Sequence, residues 1–304
     1  MYPAKIAEFI DHNLQATRYF LNEDMKKHTT FKTGGPADIL IMAYTIEDLQ
    51  KLISFILKEK IPYIVIGHGS NLIVGDKGIR EPVIKLEKNL SKCTVTGEVI
   101  EAEAGALLTD VAKLAQKHAL TGLEFACGIP GTIGGAVFMN AGAYGGEIKD
   151  VLEEVLVLTR DGKLKVRGVR ELNLGYRTSI MQKNGDLIVK AKFRFQKGEQ
   201  EAIQKKMDDL TRRREENQPL DFPSAGSIFK RPAGHYTGQL IQEANLKGYK
   251  IGGAQVSLKH AGFIINTGNA TSSEIVKLIR HIQAEVKKRF NVQLETEVKM
   301  IGEF

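Results

Sequence analysis

The chain has few cysteines, and this narrows its class. Only two occur in 304 residues, Cys93 and Cys127, with no Cys-x-x-Cys pair and no metal-like grouping with the seven histidines. That excludes a disulfide framework and a thiolate metal site, and a reduced cytoplasm is the expected compartment. No apolar run reaches bilayer-spanning length, and the opening Met1-Tyr-Pro-Ala-Lys-Ile-Ala-Glu8 has no signal-type apolar region. Neither membrane insertion nor export is expected. The chain also lacks internal repeats, low-complexity tracts and the lysine of a Walker phosphate loop.

What remains is an ordinary soluble composition, 42% hydrophobic and 26% charged, in a chain long enough for two or three compact units. The formal charge of +7 points to anionic partners, either nucleic acid or a small acidic substrate. Charge alone does not choose between them. The basic residues are scattered, however, and the run Arg212-Arg213-Arg214 is followed at once by Glu215-Glu216. That pattern reads as a solvated helix face more than a phosphate track, so no nucleic acid is expected.

The chain is organised around Gly128-Ile-Pro-Gly-Thr-Ile-Gly-Gly-Ala-Val-Phe-Met-Asn-Ala-Gly-Ala-Tyr-Gly-Gly-Glu147. Glycine costs backbone entropy and adds no packing, so Gly128, Gly131, Gly134, Gly135, Gly142, Gly145 and Gly146 need a local reason. One reason is backbone at positive φ. The other is backbone that approaches something too closely for a Cβ, as around a phosphate cradled by main-chain N–H groups. A string of tight turns is the plainer alternative. The apolar filling by Ile133, Val137, Phe138 and Met139 favours buried backbone, and the stretch is expected to be a ligand wall.

Around it the periodicities predict an α+β protein. A leading helix is expected over 6–20, from Ile6, Phe9, Ile10 and Leu14. The turn Thr33-Gly34-Gly35-Pro36 precedes a strand at 39–42, and a capping box at Thr45 and Asp48 opens an amphipathic helix. A buried strand at 63–66 runs into Gly67-His-Gly-Ser-Asn71, which lacks the third glycine of a dinucleotide fingerprint and is followed by strand-like Leu72-Ile-Val74. Short strands are expected at 83–86, 93–95 and 99–103. A helix over 107–118 follows, with Gly122 as its stop. Asp161-Gly162 marks a hairpin. The 189–195 stretch alternates Val189, Ala191, Phe193 and Phe195 with basic residues. A charged helix is expected over 199–216, then a short helix near 239–244 and a strand over 260–266. Thr271 and Glu274 cap a long helix, and 292–300 is expected as the closing strand.

Four segments carry a family resemblance: Gly67-His-Gly-Ser-Asn71, the 128–147 glycine stretch, Gly226-Ser-Ile-Phe-Lys-Arg-Pro232 and Leu294-Glu-Thr-Glu-Val298, with Tyr176-Arg177 between them. In order and spacing the chain resembles the UDP-N-acetylenolpyruvoylglucosamine reductases (UDP-N-acetylmuramate dehydrogenases), the flavoenzymes of peptidoglycan precursor synthesis. The likeness runs from about residue 28 to the end. It is short between Pro232 and Gly252, like the family members without an extra substrate-covering loop. The resemblance implies a two-subdomain FAD-binding unit of the vanillyl-alcohol-oxidase type, over 1–92 and 93–200, and a substrate domain over 201–304. The strand near 294–304 would return to the first segment. FAD, held without a covalent bond, would meet Thr33, Gly34, Gly67, Gly69, Ser70, Asn71, Gly128, Pro130, Gly131, Gly134, Gly135, Asn140 and Gly142. NADPH would reduce it, and UDP-N-acetylglucosamine enolpyruvate would accept the electrons. A monomer is expected.

The same resemblance assigns Arg177 to the substrate carboxylate, Ser227 to protonation of C2 and Glu297 to orienting the enol. Tyr144, Tyr176, Lys230 and Arg231 are candidates for the uridine-diphosphate end, where cations are needed. From the residues alone, the plainer alternatives stay open: Arg177 in a surface ion pair, Ser227 capping a turn, Glu297 facing water. Two positions depart from the family pattern. His68 stands where relatives usually carry a smaller or amide residue, and Leu258 where they often carry an acid. Some flavoenzymes of this fold attach FAD through histidine; here His68 is expected to be a loop residue near the cofactor. Two other readings compete, an FAD-dependent oxidase of the same fold and a non-catalytic basic nucleotide-binding protein.

Overall fold

The computed structural model describes residues 2–304. Its eight α-helices are α1 Tyr2–Asn13, α2 Ile46–Lys58, α3 Leu108–Lys117, α4 Ile133–Phe138, α5 Met181–Asn184, α6 Gln200–Asn217, α7 Thr237–Glu243 and α8 Ser272–Phe290. By contact the chain divides into two compact units. The first comprises Met1–Leu21, Ile39–His68 and Glu81–Arg214; the second comprises Asn22–Asp38, Gly69–Arg80 and Glu215–Phe304. This division cuts across the segments 1–92, 93–200 and 201–304. Each unit has its own apolar core.

The first unit is built on a five-stranded antiparallel sheet. Its order is Leu164–Gly168, Leu152–Leu158, Leu187–Arg194, Val99–Glu103, Cys93–Thr96. Val189, Ala191 and Phe193 enter the core, while Lys190 and Lys192 on the other face meet Glu101 and Glu153. That is the period-2 pattern read from the sequence. The Asp161-Gly162 hairpin also forms, with Leu158 opposite Leu164 and Gly162 at φ 76°. A second sheet pairs Leu40 and Ile64 with Val83 in parallel. Leu49, Leu52, Ile53 and Ile56 of α2 join the same core.

Several boundaries differ from the sequence expectation. The leading helix ends at Asn13, and Thr17–Asp24 is a strand, as the strand-favouring Thr17, Tyr19 and Phe20 allow. Asp48 explains the change of direction. Thr45 accepts the Asp48 amide as expected, but the Asp48 carboxylate, buried in the core, takes the Ala16 amide at 2.7 Å and the Thr17 hydroxyl at 3.1 Å. At the end of α3 the left-handed residue is Ala119 (φ 55°); Gly122 (φ 122°) serves the next turn.

The second unit packs α8 against a meander of Lys250–Ile251, Ala254–Val256 and Ile264–Asn266. Ile275, Leu278, Ile279, Ile282 and Val286 are buried along one face of α8, as their spacing requires. The capping box is complete: Thr271 accepts the Glu274 amide and Glu274 accepts the Thr271 amide. Asp76 adds two further acceptors, each 2.8 Å from the Ser272 and Ser273 amides. Burial pushes the Asp76 carboxyl up, but these bonds outweigh it and hold the group below its ordinary value.

The strand expected over 260–266 is shortened to Ile264–Asn266. Ser257 Oγ accepts the Lys259 and His260 amides, and His260 Nδ1 accepts the Gly262 amide, which makes a turn of 257–262. The closing strand is likewise only Lys299–Ile301, which pairs in parallel with Leu72–Val74. Residues 295–297 run instead beside 228–230. Removing half of the α8 capping box by Thr271→Ala is expected to lower stability by about 1 kcal/mol. The check is a lower urea midpoint with an unchanged m-value.

Candidate active site

In the first unit three backbone segments interlock. A Cβ on Gly67 would lie 2.2 Å from Thr132 Oγ1, and one on Gly105 would lie 2.0 Å from the Glu87 carbonyl oxygen. The Ile133 and Gly134 amides donate to the Ala106 and Ala104 carbonyls, both at 2.8 Å. Thr132 is buried and caps α4 through the Gly135 amide. Glycine is therefore needed at 67 and at 105 because another segment already fills the space of a side chain there.

The same explanation covers most of the glycine stretch and corrects its reading as a wall facing a ligand throughout. Gly128 presses on Arg214, Gly134 on Ala104, Gly142 on the Gly146 carbonyl and Glu147, and Gly146 on Phe125. Close approach is the reason, but the chain's own atoms make the approach. Pro130 and Gly135 are exposed, and Gly131 is half-buried between them. These are the positions where an outside group can reach the backbone. Asn140 is fully buried. Its amide nitrogen donates to Glu147 Oε2 (3.1 Å) and to the Gly175 carbonyl (3.0 Å), and its oxygen accepts the Lys149 amide (3.0 Å). Its side chain is a clamp between loops and has no free surface for the cofactor contact expected of it.

That clamp joins two tight turns. Gly142–Ala143 and Gly146–Glu147 pair across Tyr144-Gly145, both at positive φ (52° and 88°), the backbone of a type I′ hairpin turn. Gly175 and Thr178 bond to each other across Tyr176-Arg177, with Arg177 at φ 55°. A left-handed tyrosine and a left-handed arginine cost on the order of 1–3 kcal/mol each and persist only where the surroundings fix them. Here the fixing groups are identifiable. Ser179 Oγ and Gln182 Nε2 both donate to the Phe138 carbonyl, and Gln182 also holds the Arg177 carbonyl at 3.1 Å. Arg177 Nη2 donates to the Gly142 carbonyl at 3.1 Å, which ties one turn to the other. Its guanidinium lies 5.1 Å from the centre of the Tyr176 ring. Tyr144 and Tyr176 are both exposed.

In the second unit Ser227 and Glu297 lie on adjacent extended segments. Ser227 bridges to Phe263, and the Glu297 amide donates to the Ile228 carbonyl at 2.8 Å. Gly226 is at φ 71° with open space where a Cβ would stand. Ser227 is exposed between buried Ala225 and buried Ile228, and Glu297 is half-buried beside buried Val298. Asn71 supports this pair: its side chain donates to the Glu297 carbonyl at 3.2 Å and its own carbonyl takes the Lys299 amide. Other expected cofactor positions in this unit also have internal roles. The Thr33 hydroxyl, buried, accepts from Ser272 Oγ; Gly34 abuts Val74; a Cβ on Gly69 would lie 2.0 Å from the His28 carbonyl. Ser70 is half-buried next to it. Lys230 pairs with exposed Glu295 at 3.1 Å, and Arg231 covers the Tyr236 ring at 3.9 Å. Both are surface contacts of the weak, exchangeable kind. Leu258 is 66% exposed.

Two groups were not read from the sequence. The first is Arg214. Arg212 and Arg213 meet Asp209, as a solvated face should, but Arg214 turns inward, with its Cδ against Gly128. Burial pulls its guanidinium below the usual arginine value, against opposing effects of Tyr144 and Cys127. No carboxylate pairs with it among the described residues. The sequence signal is only that Gly128 needs a reason to be glycine. The second group is His68-Glu87-Lys85. His68 Nδ1 meets one Glu87 carboxylate oxygen, and Lys85 Nζ lies 2.9 Å from the other, with the Lys85 side chain 7% exposed. The His68 contact, ahead of burial in the other direction and of Lys85, takes the Glu87 carboxyl down to about 2.

Comparison with known proteins bears on both units. Residues 37–167 match the model of an FAD binding domain, and residues 218–301 match that of the C-terminal domain of UDP-N-acetylenolpyruvoylglucosamine reductase. UDP-N-acetylenolpyruvoylglucosamine reductase of Caldanaerobacter subterraneus subsp. tengcongensis is 51% identical over 290 residues, 95% of this chain and 96% of the relative. The protein of that name from Listeria monocytogenes is 51% identical over 283 residues, 93% of this chain and 95% of the relative. Among solved structures, UDP-N-acetylenolpyruvylglucosamine reductase of Thermus caldophilus superposes with a TM-score of 0.80 at 36% identity, covering 93% of this chain and 98% of that one. The α+β architecture, with an FAD-binding unit followed by a C-terminal domain of the reductase family, is thereby borne out. No helix among the described residues is long and apolar enough to cross a membrane.

The depressed Glu87 carboxyl makes a signed prediction. Its folded value of about 2 lies below the ordinary 4.5, so its contribution to stability is complete above the ordinary value and is lost as pH falls toward the folded one. After discount for solvent screening, the loss expected between those limits is about 1–2 kcal/mol. Urea midpoints from pH 6 down to pH 2 should show this component in the native protein and not in Glu87→Gln.

Proposed function

Because the chain belongs to the UDP-N-acetylenolpyruvoylglucosamine reductase family, we propose that it reduces UDP-N-acetylglucosamine enolpyruvate to UDP-N-acetylmuramate. NADPH is the reductant, FAD the bound cofactor, and the product feeds peptidoglycan precursor synthesis in the cytoplasm. The observation that carries this reading is the adjacency of Ser227 and Glu297 on neighbouring extended segments of the second unit. An oxidase passing electrons to oxygen has no use for a hydroxyl and a carboxylate so arranged.

The donor set of the first unit fits an FAD diphosphate. Gly131, half-buried in the same interlocked stretch as Gly67, offers its backbone amide, and Arg214 offers a guanidinium beside Gly128. Cations and amides of this kind hold phosphate oxygens. When bound, FAD supplies a hydride taken from NADPH, which is chemistry that no side chain provides.

The remaining tasks fall to the chain. The substrate's C=C bond is conjugated with a carboxylate, so addition of hydride at C3 moves charge onto C2 and the carboxylate oxygens. Arg177 binds that carboxylate and stabilises the charge as it develops; its strained, doubly clamped turn holds the guanidinium in place before the reaction. Ser227 gives its proton to C2. An alcohol is a weak acid, but the enolate it meets is a very strong base. Glu297 orients the enol and relays a proton back to Ser227. One hydride and one proton enter, and the double bond becomes the lactyl ether. Tyr144, Tyr176, Lys230 and Arg231 serve the uridine-diphosphate end, where Lys230 exchanges its exposed partner Glu295 for a phosphate.

The purified protein should be yellow, with flavin absorbance that NADPH bleaches and the enolpyruvyl sugar nucleotide restores. A colourless protein would support a non-catalytic nucleotide-binding role instead. NADPH consumption that needs only oxygen would support an oxidase. In Ser227→Ala, bleaching by NADPH should persist while reoxidation by substrate slows by ~10²–10⁴. Normal reoxidation in rapid-mixing traces would remove Ser227 from the mechanism.

A further inference from the structure

The His68-Glu87-Lys85 group has no part in the chemistry above, yet it stands where the three loops of the first unit interlock. Gly67, one residue before the imidazole, is the glycine that abuts Thr132, and the Glu87 carbonyl is the atom that Gly105 abuts. Glu87 is held from behind. Its amide donates to Asn89 Oδ1 at 2.9 Å, and the Asn89 amide nitrogen is fixed by the Ala43 and Lys85 carbonyls. An ionised carboxylate can only accept hydrogen bonds, so the ring nitrogen facing it, Nδ1, carries a proton. Lys85 occupies the other carboxylate oxygen. The tautomer is thereby set, and Nε2 is left as the ring's remaining polar atom. No hydrogen bond from Nε2 occurs among the described residues, and the side chain is 35% exposed. The segment on the other side of the loop, Gly128–Gly135, carries no ionisable group. Lys85 and Glu87 are thus the charged groups that face the imidazole.

We infer that His68 is a diphosphate contact of the cofactor loop. Its Nε2 donates to a phosphate oxygen of FAD when the ring is protonated, with Glu87 as the positioning residue that aims it. The inference rests on the FAD reading above. It makes cofactor retention depend on pH through one side chain, at a position where an amide would give no such dependence. Glu87, fixed from behind, holds the ring in one orientation with Nε2 as the atom left to act. Gain of a charge-assisted bond on protonation is expected to tighten FAD binding about tenfold.

The holoenzyme tests this. Samples are ultrafiltered at fixed dilution between pH 5.5 and 8.5, and released FAD is read by its fluorescence. The native protein should hold FAD about tenfold more tightly at pH 5.5 than at 8.5. His68→Asn should be flat across the range, and His68→Lys flat and tight. In Glu87→Gln the tenfold gain should shrink, because the carboxylate no longer aims the ring. Native retention that does not change with pH, or a slope that survives in His68→Asn, overturns the contact. An undiminished gain in Glu87→Gln overturns the positioning role. UDP binding to the holoenzyme, followed by calorimetry, separates the two diphosphates. A His68-dependent slope there and none for FAD would place the contact on the sugar nucleotide and overturn the assignment. Flavin that stays with the denatured protein would mean covalent attachment through the ring, and would also overturn it. A preparation that binds no FAD at any pH would instead sink the flavoenzyme reading itself.

Discussion

The contact between Gly67 and Thr132 sets the rest of the first unit. Thr132 is buried, caps α4, and has its hydroxyl where any side chain at 67 would need to be. Two loops far apart in sequence are thus brought to backbone contact, and a methyl group at 67 would force them apart. Gly105 repeats the arrangement against Glu87. Backbone packed this closely moves little, because an interior at crystal-like density has no slack to absorb a shift. If such loops hold the diphosphate as proposed, their surface is preorganised before any ligand arrives, and less ordering remains to be done on binding.

Arg177 shows how the same rigidity is used for a side chain. A left-handed arginine is unfavourable by itself, and the sequence around it has only a glycine two residues earlier to suggest a turn. The structure holds the residue by its carbonyl through Gln182 and by its guanidinium through the Gly142 carbonyl. Asn140 binds Gly175 and Glu147, so both turns share one buried support. A flexible arginine would lose rotamer entropy each time it gripped a carboxylate. One already ordered has lost it on folding.

Elements with strong periodicity were legible. The α8 face, the alternation of Val189, Ala191 and Phe193, and the Asp161-Gly162 hairpin all form as their spacing requires. The failures came where a side chain took a distant backbone partner. Asp48 was expected to complete a local capping box and instead holds Ala16 and Thr17, which ends α1 early. Ser257 and His260 turn a stretch that reads as continuous strand. Such bonds leave no periodic trace. The glycine stretch was recognised as unusual for the right physical reason, close approach, but its neighbours are mostly Arg214, Phe125, Ala104 and Glu147. A sequence states that space is short at a glycine; it does not state who occupies it.

The candidate chemistry was legible through resemblance, and not through local pattern. Nothing in the spacing of Arg177, Ser227 and Glu297 distinguishes them from surface residues. Their supports are spread over the chain: Gln182 and Gly142 for Arg177, Phe263 for Ser227, Ile228 and Asn71 for Glu297. Asn71 illustrates the consequence. It belongs to a loop expected to face the cofactor, yet its side chain fixes the backbone of a residue 226 positions later. A loop motif of this kind is constrained twice, by any ligand it meets and by what it must hold in place. The second constraint gives the Asn71 amide a structural task whether or not a ligand touches it. Arg214 is the converse case. Its helix reads as solvated because two of its three arginines are, and only the third has turned from water to face a glycine. A guanidinium half out of water with no carboxylate beside it is costly unless something anionic completes it. In the function proposed above, the FAD diphosphate is the anion that meets this guanidinium.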